Sequence, residues 1–165
     1  LNDSYAEAHS QLGFLYIQKE ENEKALNQAQ KAISLNPNSA EAHYGLAKVL
    51  AFSVRNEEAI LEYKKAIRLN PIPPSTYFWS LGLAYAWIEQ YEEGINWCKK
   101  AILREPNSFM ARIMMTGVYS MSGRNVEARK ETLEVIRINP NFSLERFGKR
   151  AHPRLTEALR KAGLK

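Results

Sequence analysis

Apolar positions along this chain recur in steps of three and four. Leu12, Leu15 and Tyr16 form one such set, the polar stretch 18-QKEEN-22 interrupts it, and Ala25, Leu26, Ala29, Ala32 and Ile33 form the next. That spacing lays the apolar side chains on one face of a helix, so the pattern predicts two helices joined by a short turn. The second stops at Asn36-Pro37, and the same dipeptide returns at Asn70-Pro71 and Asn139-Pro140. Proline lacks the N–H needed to continue a helix and disfavours the helical conformation in the residue before it. Asparagine tolerates the left-handed conformation that ends helices. Each Asn-Pro is therefore expected to close one helix pair and open the link to the next.

The prolines set a period. Pro37, Pro71, Pro106 and Pro140 are spaced by 34, 35 and 34 residues, and the extra residue falls in 70-NPIPPST-76, where a Pro-rich connector absorbs it. Other columns keep step through that insertion: small residues at Gly13, Ala47, Gly82 and Thr116 and at Ala25, Ala59, Gly94 and Ala128, large ones at Leu12, Leu46, Leu81 and Met115. Small residues on one helix admit the larger side chains of its neighbour, so the paired helices are expected to pack closely.

Leu12, Gly13, Tyr16, Ala25, Ala32 and Pro37, and again Phe78, Leu81, Gly82, Tyr85, Ala101 and Pro106, make the chain resemble a tetratricopeptide repeat array. Gly94 and Cys98 depart from the motif, and the units containing Ala47 and Leu50, and Arg112, Met115 and Thr116, are looser. The resemblance implies an all-α, right-handed solenoid of four helix-turn-helix repeats, at 6–39, 40–73, 74–108 and 109–142, followed by a basic capping helix over 143–165. Residues 1–5 read as the remnant of a preceding repeat, so the chain is expected to be a piece of a longer protein. Ser143 is the expected N-cap of the last helix, with Leu155, Ala158, Leu159 and Ala162 as its apolar stripe. The wording of that last segment is also similar to the carboxyl ends of bacterial signalling proteins that carry such repeats behind a cyclase or regulatory domain.

In tetratricopeptide arrays the first helix of each pair lines the concave surface. Carried over, that places Phe14, Ile17, Tyr44, Lys48, Phe52, Trp79, Leu83, Trp87, Met110, Ile113 and Met121 in a partner-binding groove, beside Ser10, Glu41 and Gly117. Exposed aromatic and methionine side chains mark interface cores, so the groove is expected to take a hydrophobic or amphipathic segment of a protein or peptide partner. The alternative is burial by tight curvature or by the chain's own tail. The carboxylate clamp of chaperone-binding relatives is missing, because Ser10, Phe14, Gly45, Thr76 and Ser80 stand at its positions.

Composition narrows the remaining classes. Residues 1–140 hold 16 Lys/Arg and 16 Asp/Glu, whereas 141–165 hold 7 and 2, so the whole net charge of +5 sits in the tail. Arg146, Lys149, Arg150, Arg154, Arg160 and Lys161 suit the solvated side of a capping helix better than a nucleic-acid or anionic-membrane contact, since no nucleic-acid motif accompanies them. No run is long enough to span a membrane. His9 and His43, one period apart, are assigned to packing, as is the lone Cys98, which fits a reducing, cytoplasmic setting. Acidic pairs Glu57-Glu58 and Glu92-Glu93 fall where second helices begin and favour the positive end of the helix dipole. No catalytic constellation, cofactor, metal site or small-molecule substrate is expected, and self-association is the runner-up to peptide binding.

Overall fold

The computed structural model describes residues 2–149 and 151–165. Leu1, read as part of a preceding repeat, and Arg150, read as part of the basic tail, lie outside the described residues. The described residues form ten helices and no strand, and the chain divides into two compact units, 1–73 and 74–165.

Unit 1 contains α1 (Asn2–Gln18), α2 (Asn22–Leu35), α3 (Ala40–Phe52) and α4 (Asn56–Leu69). Helix α1 packs on α2, α3 packs on α4, and α3 also lies against α1 and α2. Ala25 and Ala29 on α2 are buried with Ile17 and Val49, with Tyr16, Leu26 and Leu46 around them. Gly13 is part of the reason: a Cβ there would stand 3.3 Å from the Ala25 carbonyl oxygen. Helix α1 begins at Asn2 and runs without a break through residues 2–5.

Unit 2 contains α5 (Ser75–Trp87), α6 (Tyr91–Arg104), α7 (Phe109–Met121), α8 (Asn125–Ile138), α9 (Leu144–Gly148) and α10 (Pro153–Ala162). Helices α5 and α6 pair, as do α7 and α8; α7 rests on both α5 and α6, and α10 rests on α7, with further contacts to α8 and α9.

The turns within the four pairs share one conformation. Glu20, Val54, Glu89 and Gly123 all have positive φ, at 60°, 60°, 65° and 78°. The next residue's N–H then reaches back across the turn, as Glu21 to the Tyr16 carbonyl, Arg55 to Leu50, Gln90 to Tyr85 and Arg124 to Tyr119. This is the left-handed helix ending usually given to glycine, yet only the fourth pair uses one. Val54, β-branched and 75% exposed, buries little there and bears the steric cost of left-handed backbone. Val54→Gly is expected to raise stability by about 1 kcal/mol, read as a higher denaturation midpoint at unchanged slope.

Two expectations about helix ends are corrected. Asn36 and Asn70 end their helices in extended rather than left-handed conformation, with φ of −143° and −101°, and Asn139, at φ −135°, is not left-handed either. The following proline imposes this, because its ring excludes compact backbone in the residue before it. Asparagine serves instead by accepting from the amide two residues on, as Asn36 does from Asn38 and Asn70 from Ile72. The tail, expected as one capping helix over 143–165, is two. Ser143 does cap α9, accepting from the Arg146 amide, but α9 ends at Gly148, and Pro153 starts α10 afresh with the His152 ring accepting from the Arg154 amide. Gly163, at φ 104°, closes α10 and turns Leu164 into the core.

Candidate functional site

In unit 1 the first helices α1 and α3 come together where Gly45 presents no side chain to Ser10; a Cβ there would stand 3.4 Å from Ser10 Cβ and Oγ. Beside this contact opens a cleft of about 360 Å³ lined by Ser10, Phe14, Ile17, Glu41, Tyr44 and Lys48 among others. Ile17, only 5% exposed, forms its floor, while Phe14 is 39% exposed. The Lys48 ammonium lies 3.7 Å from the centre of the Phe14 ring and 5.6 Å from that of Tyr44. Burial holds its pKa below the usual lysine value, and the Glu41 carboxylate acts in the opposite sense. A cation held over ring faces is attracted by the rings' negative faces, which orients both partners. Four of the expected groove residues of this unit therefore meet at one place. The fifth, Phe52, is 59% exposed and lies outside the cleft lining.

Unit 2 arranges its share differently. Trp79, Leu83, Trp87, Met110 and Met121 are half-buried against a core that includes Ile113, Val118, Leu155 and Leu159. Ile113, expected in the groove, is fully buried: it belongs to the core that α10 completes. A Cβ on Gly117 would stand 2.4 Å from Leu155 Cδ1, so α10 lies directly over that glycine. The start of α10 reaches further back. The His152 ring stacks at an angle on Trp87, centroids 4.7 Å apart. The Arg154 guanidinium lies 5.8 Å from the Trp87 ring and donates to Glu89 Oε1 at 3.3 Å and to the Tyr91 hydroxyl at 3.2 Å. Here the surface expected to be open carries the chain's own tail. The sequence reading does not name His152, Arg154 and Leu155 as groove residues, although burial by the chain's own tail is its alternative; the signal is the Leu-x-x-Ala-Leu-x-x-Ala stripe.

The remaining candidate chemistry resolves into packing. One column pairs each first helix with its second at a separation of 19 residues: His9 Nδ1 with Gln28 Oε1 at 2.6 Å, His43 Nδ1 with Glu62 Oε2 at 2.5 Å, Phe78 stacked on Trp97, and Arg112 with Glu131 at 2.8 Å. The buried His43 ring also meets the Pro37 carbonyl through Nε2 at 2.9 Å. Glu57 and Glu58, and Glu92 and Glu93, lie in the first turns of α4 and α6. No cluster of three or more potential metal ligands occurs among the described residues.

Cys98 is fully buried, and burial pushes its thiol up to about 12, with the Glu131 charge adding to the effect. Below the unfolded value near 9.0 both states keep the proton and burial contributes in full; between there and about 12 only the unfolded chain ionises, so that contribution falls as pH rises. Alkylation of Cys98 at pH 8 is accordingly expected to follow global unfolding, at least a hundredfold slower than for the denatured chain.

Comparison with known proteins bears on the fold. Residues 15–51 match the family described as TPR repeat, and residues 40–73 match the tetratricopeptide repeat family. By sequence, no curated protein matches the chain. Among solved structures, the chain is similar to pilF of Pseudomonas aeruginosa, at TM-score 0.76 and 22% identity over 99% of this chain and 79% of that one. It is also similar to MamA of Desulfovibrio magneticus RS-1, at TM-score 0.72 and 22% identity over 84% and 77%. A third, YrrB, described as a TPR protein with an unusual peptide-binding site, aligns at TM-score 0.64 and 23% identity over 93% and 82%. Identities this low carry fold and nothing further. None of these matches supports the expected likeness of the tail to cyclase-linked or regulatory signalling proteins. Residues 15–73 thus carry tetratricopeptide repeats, and the chain has the all-α fold of the solenoid proteins built from them.

Proposed function

We propose that this chain is a protein-interaction scaffold that binds a hydrophobic or amphipathic segment of a partner in the cleft between α1 and α3. Tetratricopeptide proteins generally mediate protein–protein interaction, and their fold is typically non-catalytic. YrrB, which shares the fold, is described by its peptide-binding site. The observation that carries the reading is the cleft itself. It is open, walled by Phe14 and Tyr44, and holds Lys48 as a fixed cation over those rings. Such a site favours a segment whose apolar face covers the rings and whose polar edge meets Lys48 or Glu41.

The basic tail is read as structural. Among its described residues Arg154 pairs with Glu89, Arg160 with Glu157 and Lys149 with Glu145, which leaves less free positive charge than the composition implied. Self-association is the second reading, favoured by the exposure of Phe52 and of Tyr5, at 59% and 60%. A bacterial signalling setting rests on the tail's wording alone. A cytoplasmic location rests on the lone, buried Cys98; no described helix is long and apolar enough to cross a membrane.

The test is selection of amphipathic peptides by display on the full chain, followed by titration against Phe14→Glu and Lys48→Glu. Each substitution is expected to weaken the selected peptides at least tenfold with helicity retained. Undiminished binding by both variants would place the site elsewhere. A concentration-dependent mass abolished by Phe14→Glu would favour self-association.

A further inference from the structure

We infer that the face of unit 2 formed by Trp87, Ile113, Gly117 and Met121 is a helix receptor, that α10 occupies it in cis, and that its external partner is a short basic amphipathic helix built like α10. The recognised chemistry is an arginine beside the first leucine of a Leu-x-x-Ala-Leu-x-x-Ala stripe, as in Arg154, Leu155, Ala158, Leu159 and Ala162. The inference rests on the scaffold reading above and extends it to a second site.

Position is the first argument. A helix that merely covers the end of a repeat array needs to touch only the last pair, here α7 and α8. The body of α10 packs on α7, with lesser contacts to α8 and α9, but the side chains at its start reach beyond that pair to the α5–α6 turn, where His152 meets Trp87 and Arg154 meets Glu89 and Tyr91. Of these, Trp87 is a position the repeat register assigns to a bound segment.

Fit is the second. The column that carries Phe14, Lys48 and Leu83 in the first three pairs carries Gly117 in the fourth. The missing side chain makes the seat for Leu155, whose Cδ1 lies 2.4 Å from where a Cβ would be. Leu155, Ala158, Leu159 and Ala162 are all buried, the outer side of the helix is charged, and Arg154 supplies a partly exposed ionic contact that fixes direction and sign more than it adds affinity.

Autonomy is the third. Helix α10 has its own start at His152 and Pro153 and its own stop at Gly163, yet ten residues are too few to be helical alone in water. It is a self-contained element that folds on its receptor. Its far end is tied by the Thr132 hydroxyl donating to the Ala162 carbonyl at 3.2 Å and by the Leu144 amide donating to the Lys165 carbonyl at 2.7 Å. An external helix must compete with a tethered one, so its apparent affinity for the unmodified chain is lowered by the fraction of time the receptor is empty.

The test uses the full chain and a labelled peptide of residues 151–165. Leu155→Glu with Leu159→Glu frees the receptor. The double variant is expected to keep the helicity of α5 to α8 and to capture the peptide at least tenfold more tightly than the unmodified chain. Adding Gly117→Leu should abolish capture, and Arg154→Glu in the peptide should weaken it at least fivefold. A folded double variant that captures no peptide overturns the inference. Native-state hydrogen exchange on the unmodified chain provides an independent reading should the double variant unfold: amides of α10 are expected to exchange through an opening that leaves α7 and α8 protected, and exchange only together with those helices overturns the inference. Every change lies in unit 2, so failure here leaves the α1–α3 cleft standing, while failure at Phe14 and Lys48 leaves this receptor standing.

Discussion

Gly82→Val is expected to destabilise unit 2 strongly. A Cβ at Gly82 would stand 2.7 Å from Cys98 Sγ, 2.8 Å from the Gly94 carbonyl oxygen and 3.2 Å from the Cys98 amide nitrogen. Two of these three are backbone atoms of α6, which cannot swing aside as a side-chain end can. Gly94 faces the same approach from the other side, its own Cβ position lying 2.8 Å from the Gly82 carbonyl oxygen. The two glycines therefore set the closeness of α5 and α6, and Cys98 fills what space remains. Alanine at Gly82 would gain about 1 kcal/mol of helix propensity, but overpacking costs about 1–3 kcal/mol and more where backbone must move. The expected net loss is about 1–2 kcal/mol for Gly82→Ala and roughly 3 kcal/mol or more for Gly82→Val, where a branched side chain adds to the clash. Tryptophan fluorescence during urea unfolding measures it cleanly, because Trp79, Trp87 and Trp97 all lie in unit 2. An unchanged midpoint in Gly82→Val would contradict the packing described.

In unit 1 the largest effect is expected from His43→Ala. The ring is 1% exposed and engages Glu62 through one nitrogen and the Pro37 carbonyl through the other. Alanine removes both contacts and leaves the partners beside an unfilled cavity, at a cost of about 2–3 kcal/mol. His9→Ala should cost less, since that ring is only half-buried and faces the neutral Gln28. The third pair fills the same column with Phe78 stacked on Trp97. The combined change His43→Phe with Glu62→Trp should accordingly recover at least half of the loss, because both polar side chains are replaced together and only the carbonyl of the exposed Pro37 loses its partner. Thermal unfolding followed by circular dichroism distinguishes these outcomes: His43→Ala lowers the midpoint and the paired change restores most of it.

The repeat was legible because it is written in residue size. Pro37, Pro71, Pro106 and Pro140 fix the period, and the columns headed by Gly13 and Ala25 fix which faces meet. What the period does not encode is backbone conformation at single positions. Nothing about Glu20, Val54 or Glu89 announces a left-handed turn, and only comparison with Gly123 in the same column could have raised it. Cys98 and Gly94 looked like two separate departures from the motif, although one close approach explains both.

The candidate site was half legible for a related reason. Phe14, Ile17, Tyr44 and Lys48 could be brought together from register alone, since α1 and α3 are successive first helices. Ile113 could not be assigned correctly, because its burial depends on where a segment without repeat register comes to rest. Pro153 gave the break that starts α10, and the stripe from Leu155 to Ala162 showed that the helix needed an apolar surface. Which surface it covers depended on the empty space at Gly117, and an empty space is not a residue pattern.

The open cleft of unit 1 is proposed as the place where a partner segment binds. The most direct measurement is a titration of the isotopically labelled chain with a display-selected amphipathic peptide, followed by amide shifts in two-dimensional NMR. The shifts are expected to concentrate in α1 and α3, around Ser10 to Ile17 and Glu41 to Lys48, and to disappear in Phe14→Glu. Saturable binding that leaves those amides unmoved would contradict it.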